Sequence, residues 1–337
     1  MRIALLAHEK FPDRAKTAVG VLRYGGHEVV AVVDRDNAGK RVNDVLAGVP
    51  DAPIVASMSD VEGEVDGLLI GIAPIGGGFD ESWRPDVRNA LERGLEVVSG
   101  LHYFLAEDDE FADLAAEHGG ELWDVRKPSP DLTVADGVAD EVSAEVVLTV
   151  GTDCSVGKMT TTLELVAAAE DAGYDAAFVP TGQTGIMIAG WGNPIDRVVS
   201  DFTAGAVEEM ILEVGDDHDV VFVEGQGSIV HPAYSAVTCG ILHGSMADKL
   251  VLCHEHGRDS VHGYDQDLPP LPEYVSLYES LSAPVHETEV VAGALNTREL
   301  DDDDAARDAV ESYADTIDVP ATDPVRFGME EVLEDVL

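Results

Sequence analysis

The sequence is poor in basic residues. It has 20 lysine and arginine residues against 66 aspartate and glutamate residues among 337, for a formal net charge of −46 at pH 7. A surface this acidic repels nucleic acid and anionic membranes, which argues against both as partners. The acidic residues are dispersed through well-patterned segments, so they indicate a folded cytoplasmic protein from a high-salt, halophilic interior, where salt screens the repulsion.

Cysteines and long apolar runs are also scarce. The three cysteines, Cys154, Cys239 and Cys253, are too few for a disulfide framework and are typical of a reducing compartment. The apolar run at the N-terminus is too short for a signal sequence, and no segment has the apolar length that spans a bilayer. A hydrophobic content of 45% nevertheless supports packed cores, and the chain is long enough for two domains.

Predicted strands and helices alternate with short connections along the whole chain, which is typical of parallel sheets. The alternation is interrupted at residues 127–138, a segment with two prolines and little periodicity. We therefore predict an α/β protein of two domains. A Rossmann-like parallel-sheet domain occupies residues 1–135, and a P-loop NTPase-like α/β domain occupies residues 140–337.

The first domain begins with a strand, a helix and a second strand that ends at Asp34. An acidic residue at that point is typical of dinucleotide-binding folds, but no G-x-G-x-x-G precedes it. The turn after the first strand reads H-E-K-F-P-D instead. A plain Rossmann-like scaffold is therefore favoured over a site for a nicotinamide cofactor.

The second domain opens with the stretch E-V-V-L-T-V-G-T-D-C-S-V-G-K-M-T-T-T, residues 145–162. A buried strand, a glycine loop, Gly157-Lys158 and a helix are the context that a phosphate-binding loop requires, because loop and helix N–H groups converge on an anion. The residues predicted to bind the phosphates of a cofactor are Gly151, Thr152, Asp153, Cys154, Ser155, Val156, Gly157, Lys158, Met159 and Thr160.

This loop departs from the common pattern in two ways. Five residues separate its glycines instead of four, and Met159 stands where a magnesium-ligating hydroxyl normally follows the lysine. Thr160 cannot substitute, since one helical position rotates a side chain by roughly 100°. The loop is therefore expected to bind phosphates well and magnesium poorly.

Other polar, glycine-rich stretches follow the remaining strands of the second domain: Thr181–Gly185, Glu224–Ser228, His254–His256 and Asn296. Ligands of parallel sheets bind beyond the carboxyl ends of the strands, so these stretches predict one site. Gln183, Thr184, Gln226 and Ser228 are its candidate substrate-binding residues.

The catalytic candidates are Glu224, His231 and Lys158. Glu224 closes an apolar strand, and either Glu224 or His231 could act as a general base. Cys154 is an alternative nucleophile near a helix N-terminus, although no histidine is fixed beside it by sequence. Cys253, His254 and His256 match no common zinc spacing, and no metal site is predicted.

The loop G-T-D-C-S-V-G-K resembles the G-T-D-T-x-V-G-K loop of dethiobiotin synthetase and its relatives, including the five-residue gap. In that group an asparagine after a late strand recognises adenine, and Asn296 occupies the matching position. The resemblance covers the second domain alone, and Met159 departs from the loop threonine of that enzyme. ATP-dependent carboxylate chemistry is therefore not what the loop favours.

A second resemblance covers the whole chain. Five segments carry it: K-T-A-x-G-x-L-R (16–23), G-I-A-P-I-G-G-G (71–78), G-T-D-C-S-V-G-K-M-T-T (151–161), P-T-G-Q-T-G (180–185) and V-E-G-Q-G-S (223–228). They are similar to a two-domain family whose members are described as D-glutamate N-acetyltransferases. The resemblance implies acetyl-CoA as the acetyl donor, bound through its phosphates by the loop and through its adenine by Asn296.

The resemblance implies that the substrate is an acidic amino acid, with D-glutamate as the first candidate, whose carboxylates need cationic partners. Arg197 is the candidate in this acidic chain, and a homodimer or higher homo-oligomer is expected. The alternative function is a kinase or ligase that uses Mg-ATP. A nucleotide-sensing module without turnover is the third hypothesis.

Overall fold

The computed structural model describes residues 1–74 and 76–337; Ile75, within the motif 71–78, lies outside the described residues. The chain divides into two compact units. The first unit contains Met1–Pro128 and Gln183–Pro194, and the second contains Ser129–Gly182 and Ile195–Leu337. The sequence prediction ended the first domain at residue 135 and assigned 183–194 to the second domain.

The first unit contains one parallel sheet. Its strands in chain order are β1 (Arg2–Leu6), β2 (Glu28–Val33), β3 (Ile54–Val55), β4 (Gly67–Ile70), β5 (Glu96–Ser99) and β6 (Glu121–Asp124). They lie in the order β3-β2-β1-β4-β5-β6. This is the strand order of the Rossmann fold, with its reversal between β1 and β4. The Rossmann-like prediction is confirmed.

The second unit contains the other parallel sheet. Its strands are β7 (Glu145–Gly151), β8 (Ala176–Val179), β9 (Val220–Val223), β10 (Lys249–Glu255), β11 (Glu289–Asn296) and β12 (Ala321–Thr322). Their order is β12-β11-β10-β7-β9-β8, so β7 lies between β9 and β10. The carboxyl ends of these neighbours therefore meet the loop that follows β7, which confirms the predicted P-loop α/β architecture.

Helices connect the strands. They are α1 (Lys16–Tyr24), α2 (Arg84–Glu92), α3 (Asp109–His118), α4 (Lys158–Asp171), α5 (Gln183–Ala189), α6 (Thr203–Val214), α7 (Ser235–Ser245), α8 (Leu271–Ser282), α9 (Asp303–Ile317) and α10 (Glu330–Val336). The helix α5 belongs to the first unit with α1, while α4 and α6–α10 belong to the second. Sequence patterns did not predict α5, α7 or α10, since each combines glycines or short length with weak apolar periodicity.

The central strands are apolar on both faces because helices cover both sides of each sheet. In β1, Ile3 to Leu6 are at most 2% exposed, and every residue of β9 is buried. Local signals then fix several helix ends. Asp108 begins α3 by accepting hydrogen bonds from the N–H groups of Glu110 and Phe111, as an N-cap residue does.

The segment that precedes β7 is fixed to the second unit by a carboxylate. Glu208, on α6 and only 5% exposed, accepts hydrogen bonds from the backbone N–H groups of Asp136, Gly137 and Val138 at 2.6–2.7 Å. Three N–H donors on one carboxylate give the buried charge the partners that it needs. The stretch that the sequence predicted as the domain boundary is thus ordered around α6.

Within the described part of the chain, no helix combines the length and the apolar character that a membrane crossing demands.

Candidate functional site

The phosphate loop (Gly151–Lys158) joins β7 to α4 in the second unit. Its backbone turns through two residues with positive φ, Ser155 at 60° and Gly157 at 117°. A φ of 117° is strained for any residue with a Cβ atom, which explains the glycine immediately before the lysine. The turn directs the N-terminus of α4 at the loop, and the first N–H groups of a helix favour anions there.

Lys158 is the first residue of α4 and is only 6% exposed. Its Nζ folds back across the loop and donates a hydrogen bond to the carbonyl oxygen of Asp153 at 2.8 Å. A Cβ atom at position 151 would lie 2.9 Å from that Nζ, so Gly151 provides the room for the ammonium group. The loop therefore carries a buried positive charge beside a helix N-terminus, which is suited to a phosphate.

Two hydroxyl groups near the start of α4, those of Thr161 and Thr162, have partners within the protein. Met159 is buried, as a methionine beside the core should be. Thr162 Oγ1 lies 2.9 Å from Thr149 Oγ1 and donates to the carbonyl of Lys158, while Thr161 Oγ1 accepts from the Cys253 thiol. Met159 has no hydroxyl that could bind magnesium. The expectation that the loop binds magnesium poorly stays a prediction.

Three side chains hold the end of β7 and the beginning of the loop. Ser228 Oγ donates to the carbonyl of Thr152 at 3.0 Å, and Tyr278 OH donates to the carbonyl of Gly151 at 2.7 Å. Thr152 Oγ1 lies 2.8 Å from His254 Nδ1. Burial lowers the pKa of His254 to about 4, so this imidazole is neutral at pH 7.

Asp153 is fully buried inside the loop. Its Oδ1 accepts the N–H of Cys154 and its Oδ2 accepts the N–H of His262, both at 2.7 Å. Arg258 NH1 lies 3.5 Å from the same Oδ2 and also contacts Glu255. Arg258 is thus a cation at the loop that sequence reasoning missed, whereas the predicted cation Arg197 is exposed in a 3₁₀ turn.

Glu224 follows β9 directly and is 6% exposed. Its Oε2 accepts the N–H groups of Thr181 and Gly182, each at 3.1 Å. The neighbouring Gln226 donates through Nε2 to the carbonyl of Thr181 and to its Oγ1. The carboxylate and the amide together fix the segment after β8 against the segment after β9.

His231 is 2% exposed, and both of its ring nitrogens have partners. Nδ1 accepts the N–H of Ala233 at 3.2 Å, and Nε2 lies 3.2 Å from the carbonyl oxygen of His262. The ring stacks on Tyr234 with a centroid distance of 4.6 Å. Its orientation is therefore fixed by contacts on several sides.

The structure brings most predicted residues of the second unit together. Ser228 contacts the phosphate loop, Glu224 and Gln226 share Thr181, and a ring nitrogen of His231 lies within 4.8 Å of Asp153 and Cys154. Asn296 ends β11, where its Oδ1 accepts the N–H of Arg298.

Two predicted substrate-binding residues lie in the first unit instead. Gln183 Oε1 accepts a hydrogen bond from Arg126 NH2 at 2.7 Å, and Thr184 Oγ1 lies 2.9 Å from Thr17 Oγ1. The predicted loop Thr181–Gly185 is therefore divided between the units after Gly182. Its glycine-rich sequence gave no sign of this division.

Both parts of the chain match models of one family. The P-loop domain of unknown function DUF1611_C matches residues 133–333, and the Rossmann-like domain DUF1611_N matches residues 35–128. This chain belongs to the DUF1611 family. The family predicted from the sequence motifs is confirmed, together with its two-domain architecture.

Named relatives and a solved structure support the assignment to DUF1611. A D-glutamate N-acetyltransferase of Tritonibacter scottomollicae is 35% identical over 317 residues, covering 93% of this chain and 91% of the relative. Another D-glutamate N-acetyltransferase, from a Pseudoalteromonas species, is 36% identical over 269 residues, covering 79% of this chain and 80% of the relative. The crystal structure of a DUF1611 family protein from Anabaena variabilis superposes with a TM-score of 0.94 at 39% identity, covering 99% of this chain and 98% of the other. The family thus includes proteins named as acetyltransferases.

Proposed function

We propose that this DUF1611 protein is an N-acetyltransferase that moves the acetyl group of acetyl-CoA to the amine of an acidic amino acid, with D-glutamate as the first candidate. The observation that carries the proposal is the match, over 93% of the chain, to a relative named D-glutamate N-acetyltransferase. An identity of 35% supports the reaction type more strongly than the exact acceptor.

The geometry of the phosphate loop supports this donor. Coenzyme A carries a pyrophosphate and a 3′-phosphate, which are anions that a helix N-terminus and a buried lysine bind without a divalent ion. Lys158 and the N-terminus of α4 are present, and Met159 stands at the usual magnesium hydroxyl position. Acetyl transfer to an amine also proceeds without a metal, given a base and correct alignment.

The chemical step requires two proton transfers and one exchange of bonds. A base removes a proton from the acceptor ammonium, and the free amine nitrogen then attacks the acetyl carbonyl carbon. The carbon–nitrogen bond forms, the carbon–sulfur bond breaks, and coenzyme A leaves as a thiolate, which takes up the second proton that the nitrogen loses as it becomes an amide. Glu224 and His231 are the proposed bases, with Gln226, Ser228 and Arg258 as proposed contacts for polar groups of the substrates.

The test measures thiol release when the protein is incubated with acetyl-CoA and D-glutamate in molar salt, with the acetylated product identified by mass spectrometry. We expect one thiol released per acetylated amine. L-glutamate and D-aspartate, assayed in parallel, define the acceptor. Phosphate release from Mg-ATP without any thiol would instead support the kinase or ligase alternative, and binding of acetyl-CoA without product would support a sensing role.

We also propose that the protein works in the cytoplasm of a cell with a salt-rich interior and forms a homo-oligomer. The charge of −46 supports the first part, because strong screening reduces self-repulsion. Dialysis from molar to low salt should sharply lower the unfolding temperature. Sedimentation in molar salt measures the oligomeric state, and a monomer at working concentration would contradict the second part.

A further inference from the structure

Three side chains of different chemistry meet beside the phosphate loop. The Asp153 carboxylate, the Cys154 thiol and a ring nitrogen of His231 all lie within 4.8 Å of one another. Asp153 and His231 are buried, and Cys154 is partly exposed. Cys154 forms no disulfide. Carboxylate oxygen, thiolate sulfur and imidazole nitrogen are the three ligand types that zinc accepts in proteins.

The backbone of one residue, His262, holds two of these groups. Its N–H donates to Asp153 Oδ2 at 2.7 Å, and its carbonyl oxygen lies 3.2 Å from His231 Nε2. Metal-binding histidines commonly donate their second ring N–H to a backbone carbonyl, and metal-binding carboxylates commonly accept further hydrogen bonds. The chain thus already contains the outer contacts that orient metal ligands.

The hydrogen bonds of His231 also fix its tautomer. A carbonyl oxygen only accepts, so Nε2 carries the proton and the lone pair remains on Nδ1. The N–H of Ala233 donates to that lone pair at 3.2 Å, and a metal bond to His231 requires Nδ1 to exchange this long hydrogen bond for the ion. This is the neutral imidazole that a metal requires.

Asp153 has capacity for another partner. Its oxygens accept the N–H groups of Cys154 and His262, and Arg258 lies 3.5 Å away. Two carboxylate oxygens offer about four acceptor positions, so these contacts leave room for a metal bond. The Arg258 guanidinium competes with a cation for that carboxylate, so the Cys154 thiolate has to supply the further negative charge that a divalent ion needs.

We propose that Asp153, Cys154 and His231 form a site for one Zn²⁺ ion or a similar borderline transition metal. A thiolate and an imidazole select such metals over Mg²⁺ and Ca²⁺, which prefer oxygen ligands. Three protein ligands leave the fourth tetrahedral position open for water or an anion. The ion would link the phosphate loop to the segment after β9, because His231 belongs to that segment. The site overlaps the proposed acetyl-transfer site, because Asp153 and Cys154 lie in the phosphate loop, and with His231 bound to the ion Glu224 is the remaining proposed base.

The first experiment titrates the full-length protein, treated with a chelator and free of any purification tag, with Zn²⁺ by calorimetry. We expect one site per chain and a Zn²⁺-dependent rise in the unfolding temperature, because an ion that binds only the folded state stabilises it. A parallel titration with Co²⁺ should produce the near-ultraviolet absorption of a thiolate–cobalt bond.

Variants assign the ligands. Cys154→Ser and His231→Asn should each weaken Zn²⁺ binding by more than about tenfold, since even the loss of an outer contact costs that much. Cys154→Ser should also abolish the thiolate–cobalt absorption. The matched controls are Cys239→Ser, which changes a partly exposed cysteine on α7, and His218→Asn, which changes a partly exposed histidine after α6. Both controls should bind Zn²⁺ as the parent does.

Three results would overturn the proposal: no Zn²⁺ binding, binding that Cys154→Ser leaves unchanged, or equal loss in the Cys239→Ser control. Circular dichroism confirms that each variant is folded. Intact-mass measurement after incubation with acetyl-CoA adds a further arm. An acetyl group on Cys154 in a protein that binds no Zn²⁺ would make the cluster a nucleophilic thiol site and exclude the metal.

Discussion

The two units contain the same kind of sheet and differ at its carboxyl edge. In the first unit, β2 ends at Asp34, whose Oδ1 accepts the N–H of Glu9 at 2.7 Å and whose Oδ2 accepts from Asn37 at 2.8 Å. In the second unit, β7 ends in a turn that presents Lys158 and the N-terminus of α4. One edge uses its acidic group to hold its own loops, while the other carries a buried lysine at a helix N-terminus.

The two units therefore differ in their turns and not in their sheets. Both sheets have six parallel strands covered by helices. The turn after β1 has no glycine fingerprint. In the turn after β7, Gly151 leaves room for the Lys158 ammonium group, and Gly157 adopts the positive φ that precedes α4. The following predictions test this contrast in order of decreasing effect.

The largest effect is expected for Glu224→Gln. Glutamine keeps an oxygen that can accept the N–H groups of Thr181 and Gly182, so the fold should persist. If Glu224 is the base, kcat should fall by roughly 10²- to 10⁴-fold. The matched change at the first sheet, Asp34→Asn, should leave kcat unchanged and cost about 1–2 kcal/mol of unfolding free energy. A normal kcat for Glu224→Gln would leave His231 as the proposed base and would contradict its role as a metal ligand, since the one lone pair of its ring cannot serve both.

The next effect concerns the two lysines that follow central strands. Lys158→Met removes the buried charge of the phosphate loop, so kcat/KM for acetyl-CoA should fall by about 10- to 100-fold. Lys10→Met, in the turn after β1, should change it less than about twofold if that turn binds no phosphate. Calorimetry with acetyl-CoA checks both. Equal losses in the two variants would remove the distinction between the edges.

Acid should destabilise the units at different pH values. Burial lowers the pKa of His254 to about 4, so the folded protein binds this proton less readily than the unfolded chain does. Roughly 3 kcal/mol of the unfolding free energy is therefore lost as pH falls from 6.5 to 4. In the first unit, hydrogen bonds from Arg84 chiefly lower the pKa of Asp108 to about 2. Its contribution is present above pH 3.8 and is lost as pH falls toward 2.

The tryptophans allow the two losses to be separated. Trp83, Trp123 and Trp191 all lie in the first unit. As pH falls from 6.5 to 4, the urea midpoint of unfolding measured by circular dichroism should therefore fall before the midpoint measured by tryptophan fluorescence does. His254→Asn should remove that early change. Coincident transitions at every pH, in parent and variant alike, would contradict the assignment.

The smallest effect concerns the segment 183–194. Thr184 Oγ1 on α5 lies 2.9 Å from Thr17 Oγ1 on α1. Thr17→Val and Thr184→Val should each destabilise the first unit by about 1 kcal/mol, and the double variant by less than their sum, because each single change leaves a buried hydroxyl unpaired. Tryptophan-detected urea unfolding measures this cycle. Additive losses would show that the two hydroxyls are not coupled.

Local patterns were sufficient to predict the phosphate loop. Strand, glycine loop, Gly157-Lys158 and helix are adjacent in sequence, and Glu224 could be assigned to a strand end because β9 is wholly apolar. These features depend on neighbouring residues alone. The sequence therefore predicted both the P-loop architecture and the edge of the sheet at which the candidate residues lie.

Features that depend on strand order were missed. His262 and Arg258 reach Asp153 because β10 pairs with β7, although more than 100 positions separate them in the chain. Cys154 and His231 meet for a similar reason, through the pairing of β7 with β9. The return of 183–194 to the first unit is likewise a tertiary event. No residue spacing in the sequence encodes such approaches.

The carboxylate of Glu208 has a practical consequence for anyone who cuts the protein into its halves. A fragment that starts at β7 would lack the three N–H donors at 136–138 and would leave the Glu208 carboxylate without these hydrogen bonds. A hydrogen bond to a charged group contributes about 1.5–3 kcal/mol, so the truncation should destabilise the fragment. A C-terminal half should therefore begin ahead of Asp136 if it is to be expressed alone, and one trimmed to the strand itself should aggregate.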